Sequence, residues 1–294
     1  MPVGITPDTT DESPYLTIAE YKNAPTSIDY DNLVVGGNSG AQDAELANVI
    51  MRASSYMDQH FNQNLTAQTY VETQRVRMTN EGYIALHPNN APVMQLSDFQ
   101  YGGSPLNLIT LADCSQTWFE NQQIIIPLSQ ISTSYSSEGP LAFGGGFPRQ
   151  QIFTKYTYVA GYVNTKIVTA TATQSTLTVK TGVGIIAGQT LHIYDGSTSE
   201  DVTVASTYTN GSTTVPLTTA LVSTHAAGVA IGNLPTTIKQ ACILITTAFI
   251  KMRGDNSMTM QVTTSPTANV NGAQRFGGDI ATALEMIALY RRIR

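Results

Sequence analysis

The chain has 294 residues, of which only 12% are Asp, Glu, Lys or Arg, about half the share usual in soluble domains. The net charge of −6 argues against a general nucleic-acid binder, and 41% hydrophobic residues exclude global disorder. No apolar stretch is long enough for a transmembrane helix, and the opening residues lack the basic and apolar regions of a secretory signal. So little charge suits a surface that packs against other chains, although secreted β proteins can look similar.

The two cysteines, Cys114 and Cys242, lie in unrelated sequence contexts. The pattern predicts two buried, reduced thiols, excludes a disulfide scaffold and favours a reducing compartment.

Two helices are predicted in the first sixty residues. Thr17 and Glu20 have the spacing of a capping box at the start of a short helix, which Pro25 ends. From Gln42 to Phe61 the apolar residues recur at steps of three and four, which predicts a long amphipathic helix. Its expected core positions are Leu46, Ile50, Ala53, Met57 and Phe61.

The middle of the chain has the pattern of β structure. Residues 70–78 and 83–86 predict a hairpin, short strands are expected at 94–101, 107–112, 117–119, 124–128 and 151–159, and 129–150 is a predicted loop. Residues 166–232 show a strand about every ten residues with hairpin turns between them, which predicts a small sandwich or barrel able to fold alone.

Helical periodicity returns after Pro235, and Asp279 is expected to cap a last helix after a loop or assembly-dependent segment at 254–278. The core positions expected in these two helices are Ile238, Cys242, Ile245, Phe249, Leu284 and Ile287. The predicted fold class is α+β: a helical bundle of three longer helices and a short N-terminal one, a β-rich region, and an inserted all-β sandwich or barrel domain. The predicted domains are 1–64, 65–165, 166–232 and 233–294.

No catalytic, metal or cofactor site is predicted. The glycines at 36–40 precede a helix without the Lys of a phosphate loop, and the four histidines are scattered. Asp195, Glu200 and Asp201 could hold a cation, but a solvated hairpin edge is the favoured interpretation. No nucleophile elbow occurs.

The last residues form the only basic cluster, Tyr290-Arg291-Arg292-Ile293-Arg294. One interpretation is a helix C-terminus, where cations complement the dipole. The other is docking to an acidic partner surface or contact with nucleic acid, and three arginines at a tip favour docking over duplex binding.

Four segments in order resemble the head-to-tail adaptor (connector) proteins of long-tailed bacteriophages. They are Thr17–Lys22 with the helix from Asp43 to Phe61, the strand Lys155–Tyr162, the segment Leu234–Ala241, and the end from Ala283 to Arg292. In that family the strand ending in Tyr-x-x-Gly-Tyr leads straight into Pro-x-x-Ile-Lys-x-Ala. Here the block 166–232 separates the two, and it resembles the small β domains that phage structural proteins carry as inserts.

The resemblance implies a non-enzymatic virion protein, assembled in the host cytoplasm, that forms a ring, commonly of twelve copies, beneath the portal. It further implies that residues 290–294 dock to the portal, that the β region receives stopper or tail proteins, and that DNA passes through the channel without sequence-specific binding. No cofactor and no membrane contact are implied.

An alternative is a carbohydrate- or cell-surface-binding phage protein that uses Tyr194 or Tyr208 in 166–232. A third interpretation is a wall hydrolase, but the sequence shows no set of acid and base residues for that reaction.

Overall fold

A computed structural model describes residues 14–26, 28–30, 33–77, 83–127, 151–253 and 279–291. The chain divides into two compact units. The described residues between Ala67 and Tyr162 form the first, here called the β unit. Those between Glu12 and Thr66 and between Val163 and Arg294 form the second, called the mixed unit.

Among the described residues 37% are in strands and 27% in helices, so the structure is mostly β and the predicted helical bundle is wrong. Among the described residues only two helices are long. The third helix expected for a bundle covers just 279–286, and the chain then tightens into a 3-10 turn at Ala288–Tyr290. A helix of two turns has too small an apolar face to pack as a full member of a helical bundle.

The β unit contains two antiparallel sheets. Its strands are β1 (Gln68–Arg77), β2 (Tyr83–Leu86), β3 (Val93–Ser104), β4 (Asn107–Thr110), β5 (Trp118–Glu120), β6 (Gln123–Pro127) and β7 (Gln151–Ala160). The strand orders are β1-β7-β3-β4 and β2-β6-β5. Alternating side chains of both sheets enclose one core rich in tyrosine and isoleucine.

The predicted strand positions in this region agree with the structure, but the predicted hairpin of β1 and β2 is wrong. β1 pairs along its whole length with β7, and β2 pairs with β6. The predicted loop 129–150 lies outside the described residues.

The helices of the mixed unit are α1 (Ile18–Asn23), α2 (Ser39–Phe61), α3 (Thr236–Arg253) and α4 (279–286). The predicted capping box is confirmed: the Thr17 hydroxyl accepts the Glu20 amide, and the Glu20 carboxylate accepts the Thr17 amide at 2.7 Å. α2 packs against α3, where the rings of Tyr56 and Phe249 meet edge to face at 5.9 Å. No helix in the described ranges has both the length and the apolar character to cross a bilayer.

The remaining strands of the mixed unit form a six-stranded antiparallel sheet with its own core. The strands are β8 (Asn164–Thr169), β9 (Thr176–Val179), β10 (Thr190–Tyr194), β11 (Glu200–Thr203), β12 (Thr214–Pro216) and β13 (Ala230–Gly232), in the order β11-β10-β13-β8-β9-β12. A bridge between Val204 and Leu217 joins the two outer strands at one end, so the sheet curls back on itself. We call residues 164–232 the β block.

Candidate functional site

The expected docking tip begins at a tyrosine that is packed into the mixed unit. The Tyr290 ring lies edge-on to Phe61 at 6.5 Å, and its hydroxyl lies 3.3 Å from Thr237 Oγ1. Its carbonyl accepts a hydrogen bond from Gln63 Nε2 at 3.2 Å. Tyr290 therefore ties the end of the chain to α2 and α3 rather than presenting a free ring to a partner.

The residues on either side of Tyr290 are exposed. Leu289 has 95% of its surface accessible, and Arg291 is exposed as well. His60 of α2 lies nearby: partial burial lowers its pKa, and the Arg291 charge lowers it further. The other predicted docking residues, Arg292, Ile293 and Arg294, lie outside the described residues.

Most residues expected to form a helical core are buried, although the bundle itself is absent. Phe249 and Leu284 are only half-buried. The fully buried ones are Leu46, Ile50, Ala53, Met57, Phe61, Ile238, Cys242, Ile245 and Ile287. Both cysteines are free thiols, but Cys114 is half-buried rather than buried as predicted.

A buried ion pair joins three parts of the mixed unit. Lys239 of α3 contacts the Glu20 carboxylate of α1, and its ammonium lies 3.7 Å from the centroid of the Tyr194 ring on β10. Only 8% of the Lys239 side chain and 11% of the Glu20 side chain are accessible. The Tyr194 hydroxyl donates to the carbonyl of Leu234 at 3.3 Å.

Burial is the largest cause of the pKa shifts around this ion pair. It lowers the pKa of Lys239, although the Glu20 charge opposes the effect. It raises the pKa of Tyr194 to about 12, helped by the charges of Glu20 and Asp201. The neighbouring Cys242 is also buried, which raises its pKa to about 12. The raised pKa keeps the Cys242 thiol neutral near pH 7, and the Lys239 ammonium is paired with the Glu20 carboxylate.

A second cluster lies in the β block, where His225 is buried between two acids. Its Nδ1 is 2.9 Å from Asp195 Oδ2, and its Nε2 is 2.8 Å from Glu200 Oε1. Glu200 also accepts the amides of Val222 and Ser223, each at 3.0 Å.

The acids considered as cation ligands are thus engaged by histidines. Asp195 and Glu200 flank His225, and Asp201 pairs with His192 Nδ1 at 2.6 Å. Across the described part of the chain no group of three or more His, Cys, Asp or Glu side chains could hold a metal ion.

The β unit buries one carboxylate that the sequence did not single out. Glu72 of β1 is 5% accessible and accepts the hydroxyls of Tyr156 at 3.0 Å and Tyr158 at 2.5 Å. The Asn89 amide donates to the same carboxylate at 3.0 Å. Glu72 lies two residues after Tyr70 and four before Val76, and all three side chains are on the buried face of β1. This even spacing was the one pattern in the sequence that could have predicted a buried Glu72. These satisfied hydrogen bonds make Glu72 a structural anchor.

Comparison with known proteins yields matches to solved structures alone: no family model matches the chain, and no curated protein does. One match is to the neck of an empty gene transfer agent (GTA) particle computed with C6 symmetry, with 13% identity and a TM-score of 0.39. Another is to the virion of a native GTA particle, with 12% identity and the same TM-score. Each match covers 99% of this chain and 97% of the other. At this identity and TM-score, the likeness assigns neither fold family nor function.

Proposed function

We propose that this chain is a non-enzymatic virion structural protein, the head-to-tail adaptor that joins the capsid of a tailed phage-like particle to its tail. In this proposal copies of the chain form a ring under the portal, the C-terminal tip docks to the portal, and DNA passes through the ring. Stopper or other tail-proximal proteins bind on the opposite side.

One observation carries the proposal: distant segments that resemble the adaptor family contact one another in the mixed unit. Glu20 of the first segment pairs with Lys239 of the third, and Tyr21 bonds Thr247 of α3 through their hydroxyls at 3.0 Å. Tyr290 of the last segment contacts Phe61 at the end of α2. Such mutual contacts support the interpretation that three of the four resembling segments belong to one structural unit that the family shares, while Lys155–Tyr162 lies in the β unit.

The tip has the chemistry of a docking element. Leu289 offers an apolar side chain with almost no cover, and Arg291 adds a cation beside it. Because Tyr290 is anchored between them, an incoming acidic surface would meet both side chains in a fixed position. Pre-ordering of this kind reduces the entropy that binding must overcome.

The experiment combines imaging with complementation. Negative-stain images of the purified protein should show rings, and Arg291, Arg292 and Arg294 changed together to Glu should give a folded protein that leaves heads untailed. The matched control changes Arg77, Lys155 and Lys180 to Glu, which alters the net charge equally away from the tip. Normal tailed particles from the tip variant would contradict the docking role.

The carbohydrate-binding alternative is less well supported. Tyr208 is only 7% accessible and donates to the Ser212 carbonyl at 2.8 Å. Tyr194 packs between Lys239 and His192. Sugar sites use exposed aromatic faces, and these two rings are engaged in packing.

A further inference from the structure

The mixed unit contains a groove between its helices and the β block. Its volume of about 490 Å³ lies within the range of ligand and peptide sites. Ile18 of α1 and Ala47 of α2 line one wall, and Val229, just before β13, lines the other. The groove is therefore large enough and apolar enough to take up side chains of a second protein segment.

Lys166 of β8 gives the groove its one uncompensated charge. This lysine is half-buried in the lining and forms no ion pair with any residue that the structure describes. The one acid of the lining, Asp195, already lies 2.9 Å from His225 Nδ1. An occupant with apolar side chains and one carboxylate would therefore complement the groove in both polarity and charge.

The hairpin of β5 and β6 in the β unit exposes side chains of that chemistry. Trp118 is 36% accessible and Phe119 is 42% accessible, although both are large apolar side chains. Glu120 follows them, is exposed, and pairs with no cation in the described ranges. Aromatic side chains are enriched at the centres of protein interfaces. These three consecutive residues thus have the features of a surface that another chain covers.

The turn of this hairpin is short and its geometry is fixed. Glu120 and Gln123 are directly paired, and the two residues between them, Asn121 and Gln122, have φ values of 50° and 62°. Positive φ at both central residues is what the tight two-residue turns of hairpins require. Because the hairpin is already formed, its insertion into a partner costs little conformational entropy.

We propose that the β5–β6 hairpin of one copy of the chain inserts into the groove of a second copy. This inference rests on the proposed ring and names the contact that builds it. Glu120 of the hairpin pairs with Lys166 of the groove, and Trp118 and Phe119 cover the apolar walls. Each of the two charges thereby gains a partner.

The contact uses different surfaces on the two copies, because the hairpin belongs to the β unit and the groove to the mixed unit. Every bound copy therefore still offers its own groove or its own hairpin to the next one. Such a heterologous contact closes into a ring when the rotation between neighbours allows it.

Disulfide trapping between copies tests the contact directly. Gln122→Cys at the hairpin tip and Ala227→Cys in the groove lining are placed on separate chains, both of which also carry Cys114→Ser. Cys242 stays unreactive, because burial raises its pKa to about 12. Mixed under mild oxidation, the two chains should form a joined pair, which an affinity tag on one of them distinguishes from like pairs.

The control for trapping is Val222→Cys in place of Ala227→Cys. Val222 is 81% accessible and lies on the same β block outside the groove lining. Combined with Gln122→Cys, it should give several-fold less of the joined pair. Equal yields from the two positions would show random collision and would overturn the proposal.

Charge variants test the ion pair by sedimentation, which measures the assembly of the intact chain. Glu120→Lys and Lys166→Glu should each weaken assembly about tenfold or more, because each places like charges together. The double variant restores opposite charges and should assemble nearly as well as the wild type. The control is Lys155→Glu, which changes an exposed cation elsewhere in the β unit and should not alter assembly. No recovery in the double variant would contradict the pairing of Glu120 with Lys166.

The two readouts together distinguish this contact from the proposed ring. Wild-type rings without the joined pair, together with charge variants that assemble normally, would overturn the contact and leave the ring standing. A joined pair from a chain that builds no rings would support the contact and contradict the ring. A chain that stays monomeric at every concentration and gives no joined pair would overturn both.

Discussion

Val163 and Asn233, seventy residues apart, hydrogen-bond to each other twice. The Val163 amide donates to Asn233 Oδ1 at 2.7 Å, and the Asn233 amide donates to the Val163 carbonyl at 3.0 Å. The next pair, Asn164 and Gly232, are partners in the ladder of β8 and β13. The β block therefore leaves and rejoins the rest of the chain at one point, the geometry that an inserted domain requires.

Excision of 164–232, with Val163 joined directly to Asn233, should leave a folded protein. The cut replaces hydrogen-bonded neighbours by a peptide bond, so it needs little backbone movement. Lys239 loses its contact with Tyr194, and a lower melting temperature is expected, but the helical circular dichroism should persist. The isolated segment 163–233 should melt cooperatively because it has its own core.

The control for that experiment removes 160–228, a stretch of the same length that takes the last residue of β7 and leaves β13 without its partner strands β8 and β10. This control should lose its structure. Loss of helical signal in the first excision as well would show that the helices depend on the β block.

Glu20→Gln should destabilise the protein strongly, by about 3 kcal/mol in urea unfolding. The change leaves the buried Lys239 charge without its partner, and removing one member of a buried pair costs far more than removing both. The double variant Glu20→Gln with Lys239→Met should regain most of the loss. As a control, Arg52→Gln breaks the exposed pair with Glu45 and should cost under about 1 kcal/mol. Additive effects of the two changes would contradict a coupled pair.

Low pH should reduce the free energy of unfolding, in part because Glu200 becomes protonated. Burial raises the pKa of this carboxyl, but hydrogen bonds from Val222, Ser223 and His225 outweigh burial, so its pKa is lowered overall. A lowered folded-state pKa gives stability that is complete above the unfolded value of about 4.3 and is lost as the pH falls below it. Glu200→Gln should therefore flatten the decline in unfolding free energy as the pH falls below about 4.3.

Asp201→Asn is the matched control, because its carboxylate pairs with His192 while remaining 69% accessible. Its acid profile should follow that of the wild type. If the unfolding free energy of Glu200→Gln fell with pH as steeply as that of the wild type, the buried cluster of Glu200 and His225 would not contribute to stability in acid.

Local patterns predicted the elements well but predicted their partners poorly. The capping box of Thr17 and Glu20 located α1, and the steps of three and four residues from Leu46 to Phe61 located α2. Capping and amphipathicity depend on neighbours within one or two turns, so a local pattern is enough to predict them. The bundle failed at the other end of the chain, where the apolar spacing through Ile287 and Tyr290 continues in a 3-10 turn rather than a long helix.

The candidate site was predicted in part. The resemblance pointed to Tyr290 and Arg291 but not to the fact that Tyr290 is packed while Leu289 is exposed. Glu20 was noted only for its capping role, and nothing local marked Lys239 as its partner, more than two hundred residues away.

The sequence by itself determined where the chain is helical or extended, because backbone periodicity and caps are encoded over a few residues. Its low charge content also indicated surfaces suited to other chains. Only the tertiary structure decided that β1 pairs with β7, that Lys239 forms an ion pair with Glu20 beside the Tyr194 ring, and that Val163 hydrogen-bonds to Asn233. Such contacts depend on the burial of whole faces against each other, and no short-range pattern specifies which distant face supplies the partner.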